Sequence, residues 1–460
     1  MNRSLLIKPS MKESYPTVTH GEGIYLYDKD GKRYIDGSSG AVTTSIGHGV
    51  SEIIEAMHEQ ANKVSFVYRS QFTSEPAEKL AVKLNELLNA DEDYWSFFVN
   101  SGSEATETAM KIAIQHWQEQ GHFKKNKILS RWVSYHGITL GALSMSGHVS
   151  RRERFVSILE DYPAVSAPYC YQCSLKKTYP SCQLACANEI ETAIKRIGPG
   201  QIAAFIAEPI IGAAGGVIIP PDGYYQQVKE ICNKYDILFI ADEVMTGIGR
   251  TGEMFGLHHW KVQADIVALG KGMSAGYTAI AATLVSEKVM KPILQGSNSV
   301  MSGHTYSANP QSAATALAVL RYIEKYQLVQ NVKVQGEYLL QKLLFELGEL
   351  QIIGDIRGIG LMIGVEFVSD KSTKRPFDKK LLITNKIVEK AREKGLLIYP
   401  SSAGQEGAHG DAIIISPPFI ITKSQMDELV SILKEVVLEI QKEVGGVGHG
   451  GTITPDEKNE

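Results

Sequence analysis

From about residue 96 the chain alternates short apolar runs with longer stretches whose apolar residues recur every three or four positions. The runs are SFFVN, KILSRWVS, IAAFIAEP, ILFIADE, DIVALG and AATLVS. Short β-type runs separated by helical patterns predict a largely parallel sheet with helices on both faces, an α/β architecture. Before it, IYLYDKDGKRYID (24–36) alternates apolar and polar residues around Asp30-Gly31, which predicts a β-hairpin. Helical patterns follow at 51–63 and 75–89. After about 310 a long helical pattern runs through SAATALAVLRYIEKY and QGEYLLQKLLFELGEL. Strand-like IGLMIGVEFV, a helix near 380–394, strand-like AIIISPPFI and an amphipathic helix at 423–443 close the pattern. We therefore expect a large central domain at 61–315 and a smaller domain built from 1–60 and 316–445. The Gly-rich polar residues 446–460 read as a flexible tail.

Composition narrows the function classes. The 460 residues are 43% hydrophobic and 21% charged, with a net charge of −4, so nothing favours nucleic acid or an anionic membrane as partner. The stretch IAAFIAEPIIGAAGGVIIPP is broken by Glu208, Pro209 and glycines and does not read as a membrane span. The first residues lack the apolar core of a signal peptide, so a soluble cytoplasmic protein is expected.

Two patterns compete for the chemistry. In ILFIADEVMTGIGRTG (237–252), Gly247, Gly249 and Gly252 spell G-x-G-x-x-G, the spacing of a dinucleotide-binding turn. Such a turn needs its first glycine directly after the strand and a helix behind it. Here Asp242 to Thr246 intervene, and EMFGLHHWKVQ is a poor helix pattern, although Asp265 lies at a suitable distance for a ribose contact. An NAD-dependent oxidoreductase is thus the remote reading. The alternative rests on Asp242 at one strand end and Lys271, between Gly270 and Gly272, at the end of the next. Ligands of open α/β sheets bind at the carboxyl ends of the strands. An acid and a lysine there suit pyridoxal phosphate, which takes a lysine as a Schiff base and an acid at its pyridine nitrogen. Without further residues the pair could equally be an ordinary ion pair.

Further residues are present. Ser101-Gly102-Ser103 follows the strand-like SFFVN and opens a helix, with Glu104 at capping-box spacing from Ser101. A phosphate would meet the first helical amides and a favourable dipole there. Tyr135 stands at another strand end, where it could stack on a ring, and Val244 could face the opposite side.

The segments NSGSEATETAMKIA, SYHGITLGA, FIAEPI, ILFIADEVMTGIGRTG, LGKGMSAGY and GHTYSANPQSAATALAVL, in this order, resemble the class III pyridoxal-phosphate-dependent aminotransferases, the omega-amino-acid, acetylornithine and 4-aminobutyrate group. The resemblance spans about 20 to 440. It implies fold type I: a mostly parallel seven-stranded sheet in the large domain, a smaller α+β domain, and a homodimer or dimer of dimers with the site at the interface. It also implies roles. Lys271 would bind the cofactor and move protons, and Asp242 would pair with the pyridinium. Gly102 and Ser103 would hold the phosphate, and Tyr135 and Val244 would flank the ring. Glu208 would stand beside the cofactor, and Thr305 would reach the phosphate of the neighbouring subunit. The expected reaction moves an amino group from an amine or a β- or ω-amino acid to a keto acid or aldehyde. A decarboxylase or an aminomutase on the same fold is the alternative.

Two departures stand out. Relatives carry a loop arginine that pairs with the substrate carboxylate. Residues 399–419 hold none, and Gly407 or a neighbour occupies its place. Glu208, which can hold that arginine aside in relatives, could then accept a substrate ammonium or serve only the cofactor's surroundings. Cys170, Cys173, Cys182 and Cys186 follow C-x₂-C-x₈-C-x₃-C. That spacing admits a structural zinc, two disulfides or four thiols.

Overall fold

The computed structural model describes residues 5–11, 13–404 and 410–445. The N-terminal part forms β1 (Val18–Glu22), β2 (Tyr25–Asp28) and β3 (Arg33–Asp36). The central strands are β4 (Tyr94–Val99), β5 (Lys127–Arg131), β6 (Ala164–Val165), β7 (Ile202–Ala207), β8 (Leu238–Asp242), β9 (Ile266–Leu269) and β10 (Ala281–Ser286). The C-terminal part adds β11 (Ile353–Ile359), β12 (Met362–Phe367), β13 (Leu396–Leu397), β14 (Tyr399–Ser402) and β15 (Asp411–Ile415).

The central strands make one seven-stranded sheet in the order β4-β10-β9-β8-β7-β5-β6. Only β10 is reversed, pairing antiparallel with both β4 and β9. Two reversals restore direction, so β4 runs the same way as β9, β8, β7 and β5. β6 follows β5 in parallel, so the carboxyl ends of six strands share one edge, which is where this sheet type puts its ligands.

Burial on both faces explains why these strands read as continuous apolar runs. β7, β8 and β9 are buried at every position. Alternation divides them cleanly. Ile128, Ala204, Ile206, Leu238, Ile240 and Ile266 pack with Ala109, Ile112 and Ala113 of the helix Gly102–Glu119. Leu129, Phe205, Phe239, Ala241 and Val267 face the opposite cluster. The small side chains at 105, 109 and 113 let that helix lie close to the sheet, and Thr283 Oγ1 donates to the Ala105 carbonyl at 2.8 Å.

Both chain ends meet in a second sheet, β1-β2-β3-β13, where β13 joins β3 in parallel. A third, β11-β12-β15-β14, lies beside it in sequence. The expected hairpin around Gly31 is present, at φ +79° for that glycine. It is extended by β1, whose exposed VTHGE has no apolar alternation to betray it. The stretch IGLMIGVEFV is not one strand. It straddles the turn at Gly360 (φ +57°) between β11 and β12. Residues 446–460, expected to be a flexible tail, lie outside the described residues. Among the described residues, no helix is long and apolar enough to cross a membrane.

The turn at Gly360 is packed backbone against backbone. A Cβ on Gly336, in the helix Leu328–Leu347, would lie 2.3 Å from the Gly360 carbonyl carbon and oxygen. Alanine is the better helix former by about 1 kcal/mol, yet overpacking costs about 1–3 kcal/mol. Gly336→Ala is expected to lower the thermal unfolding midpoint. An unchanged or raised midpoint by calorimetry would show that the helix and turn separate freely.

Candidate active site

A cavity of about 180 Å³ opens at the shared strand edge. It is lined by Gly102, Ser103, Tyr135, Glu208, Asp242, Val244 and Lys271, brought together from the ends of β4, β5, β7, β8 and β9. His136, Gly137, Ala213 and Met245 complete the lining.

Asp242 ends the fully apolar β8 and is 3% exposed. A carboxylate desolvated this far needs hydrogen-bond donors. His136 Nδ1 lies 2.7 Å from Oδ2, and the Val244 amide donates to Oδ1 at 3.1 Å. The other ring nitrogen of His136, Nε2, is buried without a partner among the described residues. Glu208 is equally buried. Its Oε2 accepts from the Tyr135 amide and its Oε1 from the Gly212 amide, each at 3.0 Å. Burial holds its pKa above the usual carboxylate range, against the favourable charge of His136. Arg131, fully buried below, donates to the Glu208 carbonyl at 2.6 Å.

Lys271 follows β9 in a short 3₁₀ turn, Lys271–Met273, with φ +40°. A left-handed lysine costs about 1–3 kcal/mol and persists only where the surroundings enforce it. Among the described residues its ammonium has no hydrogen-bond or ion-pair partner. Burial pushes its pKa down to about 8, while Asp242 and Glu208 act in the opposite direction.

The helix Gly102–Glu119 presents its N-terminus to the same cavity, with first-turn amides that lack intrahelical partners. Ser101 Oγ accepts from the Glu104 amide at 3.2 Å, and Glu104 Oε2 accepts from the Asn100 amide at 2.7 Å. The capping box thus reaches back one residue further than usual. Gly102 has no room for a side chain, since a Cβ would lie 2.7 Å from Val244 Cγ1. Ser103 Oγ accepts from the Ile138 amide at 3.0 Å, which fastens the segment after Tyr135 to this helix.

Thr305 is exposed and lies off the cavity. Gly407 lies outside the described residues. The glycines of the dinucleotide pattern do not line the cavity. Gly249 and Gly252 take φ +88° and +87°, and the chain continues as a loop rather than a helix. Glu243 fixes that loop, accepting from the Gly256 and Leu257 amides at 2.8 and 2.9 Å. Arg250 ties it to the carbonyls of Leu361 and Pro417. Asp265 accepts from the Phe239 amide and pairs with Lys229 and Lys288. It is structural, and the NAD reading fails. The cysteine expectation is corrected as well. None of the four forms a disulfide; Cys170 is exposed and Cys186 half-buried. Among the described residues no group of three or more His, Cys, Asp or Glu is placed to hold a metal ion, so zinc has no support.

The class-III aminotransferase family model matches residues 7–437. This chain belongs to the class III aminotransferases. It is 54% identical to the uncharacterised aminotransferase YodT of Bacillus subtilis strain 168, over 95% of this chain and 98% of that one. It is 33% identical to the putrescine–pyruvate aminotransferase of Pseudomonas aeruginosa PAO1, over 91% and 89%. Among solved structures, an amine transaminase from an uncultivated Pseudomonas species in its PLP-bound form superposes with a TM-score of 0.89 at 32% identity, covering 95% of this chain and 99% of that one. The family and such neighbours imply pyridoxal phosphate as cofactor. The cavity fits it: an acid with a fixed orientation, an amine without a partner, a helix N-terminus cleared by Gly102, and an aromatic ring at Tyr135. His136 is the member of this class III site whose partner was not legible, because its acid lies 106 residues away.

The lysine gives a pH test. An amine whose pKa falls from 10.5 to about 8 on folding binds fewer protons in the folded chain than in the unfolded chain between those values. It therefore opposes folding at pH 7, and the opposition fades as pH rises through 8 toward 10.5. In cofactor-free protein, Lys271→Met is expected to unfold at a higher temperature than wild type at pH 7, with the gap narrowing by pH 10. A gap independent of pH would mean that the ammonium is not desolvated.

Proposed function

We propose that the enzyme transfers an amino group from an amine or a β- or ω-amino acid to a keto acid or aldehyde, with Lys271 as its proton carrier. The observation that carries this reading is the juxtaposition of Lys271, without a partner and with a lowered pKa, and Asp242, fixed by His136, in one cavity. Pyridoxal phosphate, when bound, supplies the electron sink that makes the substrate Cα–H bond labile.

Asp242 would hold a proton at the pyridine nitrogen, and His136 and the Val244 amide keep its carboxylate aimed. Lys271 would hold the cofactor and, once displaced by substrate, take the proton from Cα and return it to the cofactor carbon. An amine with a pKa near 8 suits both directions of that transfer close to neutral pH. Gly102 and Ser103 would hold the phosphate, and Tyr135 and Val244 would flank the ring. Glu208 would act mainly by fixing the Tyr135 and Gly212 amides. Each of its oxygens keeps a second lone pair, so donors with a second ammonium or polar group fit the reading, and one relative is named for putrescine. Thr305, exposed and off the cavity, would serve the phosphate of a second subunit in a homodimer or a dimer of dimers. The domain division at 61–315 against 1–60 and 316–445, and a cytoplasmic location, belong to the same reading.

A visible spectrum before and after borohydride tests the core of it. The holoenzyme is expected to show a cofactor band that borohydride abolishes and that changes on adding amine. After borohydride and denaturation the cofactor should stay covalently attached to wild type but not to Lys271→Ala, which should also lose at least about 10²-fold in turnover. Cofactor covalently retained by the variant after borohydride would overturn the role of Lys271. Released carbon dioxide, or turnover without an acceptor, would favour the decarboxylase or aminomutase alternative.

A further inference from the structure

Residues 399–419 contain no arginine, so a keto acid would need a cation from elsewhere for its carboxylate. The cations around the cavity differ sharply in what already holds them. Arg131 donates to the Glu208 carbonyl, and Arg250 to two carbonyls and Ser39. Arg357 pairs with Asp355 and Glu366. Arg152 gives one nitrogen to the carbonyls of Leu143, Ser144 and Ser146, each at 2.9 Å. Its neighbour Arg151 is different. Its guanidinium lies 4.5 Å from the centre of the Tyr135 ring, and its hydrogen bond, to the Tyr135 hydroxyl, is long at 3.4 Å. Among the described residues it has no carboxylate partner.

Arg151 is half-buried and lines a second cavity of about 360 Å³. Ala213 lines both cavities, so they adjoin. Arg151 is close enough to Lys271 for its charge to act on the lysine amine. His148, packed edge-on against Tyr135 at 6.0 Å, is held neutral by burial and by Arg151, with its pKa pushed down to about 4. It therefore adds no second charge. Asp411, across the second cavity, is engaged by the Thr384 amide and hydroxyl at 2.9 and 2.8 Å. Lys379 also lines that cavity but is exposed, where its charge is screened.

We propose that Arg151 is the carboxylate-binding residue of this enzyme, taking the keto-acid acceptor and amino-acid donors by their carboxylate at the junction of the two cavities. The proposal rests on the aminotransferase reading above. A guanidinium stacked on an aromatic face keeps its edge N–H groups free, and that edge matches the two oxygens of a carboxylate. The stacking also keeps the arginine in place when no carboxylate is present, so amines and aldehydes enter without displacing a salt bridge.

The test compares two acceptors in the holoenzyme with one donor, benzylamine, and reads the benzaldehyde formed. Pyruvate carries a carboxylate and butanal does not. Arg151→Gln is expected to raise the KM for pyruvate by about ten- to a hundredfold, the loss of a charged hydrogen-bonded pair. Kinetics with butanal should change by less than about threefold. Inhibition by propionate, an unreactive carboxylate, should weaken in parallel, which reads binding without turnover. Arg151→Lys should restore only part of the pyruvate KM, since an ammonium cannot present the bidentate edge. An unchanged pyruvate KM would overturn the proposal. So would an equal loss with both acceptors, which would make Arg151 merely a support for Tyr135. A wild type that uses butanal but not pyruvate would sink this proposal alone. One that uses neither would sink the aminotransferase reading too.

Discussion

The site is organised around the need to keep one carboxylate oriented at the end of a strand that is otherwise wholly apolar. Asp242 is 3% exposed, and its two oxygens are claimed by the Val244 amide and by His136. His136 comes from beyond β5, and β7 lies between β5 and β8 in the sheet. The segment carrying it must therefore cross over the end of β7. There it meets Glu208, whose carboxylate takes the Tyr135 amide. One acid thus aims the histidine's neighbour while the histidine aims the other acid. Removing either carboxylate would leave buried donors unmatched, at about 1–3 kcal/mol each, and would release Tyr135 from the cavity wall.

Electrostatics follow from how the cations are spent. Arg131 and Arg250 are buried, yet they are bound by carbonyl oxygens rather than by Asp242 or Glu208. The two site acids are therefore left facing Lys271, whose amine has no hydrogen-bond or ion-pair partner among the described residues. Had either arginine paired with Asp242, the lysine would have lost the charge that offsets its desolvation and its pKa would have fallen further.

What the sequence disclosed follows the same physics. Asp242, Lys271, Gly102 and Tyr135 were legible because each lies within a few residues of the end of an apolar run, and parallel strands bring such ends together. The role of His136 was not, because its partner is set by a crossing between non-adjacent strands. The glycines after Val244 misled because Gly249 and Gly252 do need positive φ, though for a loop pinned by Glu243 and not for a pyrophosphate. The cysteine spacing does gather thiols, since Cys170, Cys182 and Cys186 act on one another's charge, yet no metal-holding group forms among the described residues. β1 escaped because an exposed strand carries no alternation, and β11 and β12 merged because the turn at Gly360 is itself apolar in its surroundings.

The segment 131–152 joins these levels. The Ile138 amide donates to Ser103 Oγ, and the Gly141 amide to Glu107 at 2.6 Å, so the segment is fastened along the helix whose N-terminus faces the cavity. Arg152 locks its far end by collecting the carbonyls at the close of the helix Leu140–Met145. The aromatic wall at Tyr135 and the free guanidinium of Arg151 are therefore held by one fastened stretch. The backbone around Arg151 is pinned on both sides, so any movement of its guanidinium is left to the side chain. Over the Tyr135 ring, its charge already has a favourable surface when no anion is present. Under the Arg151 proposal, acceptance of both charged and uncharged partners would need only a ring on which the guanidinium can rest.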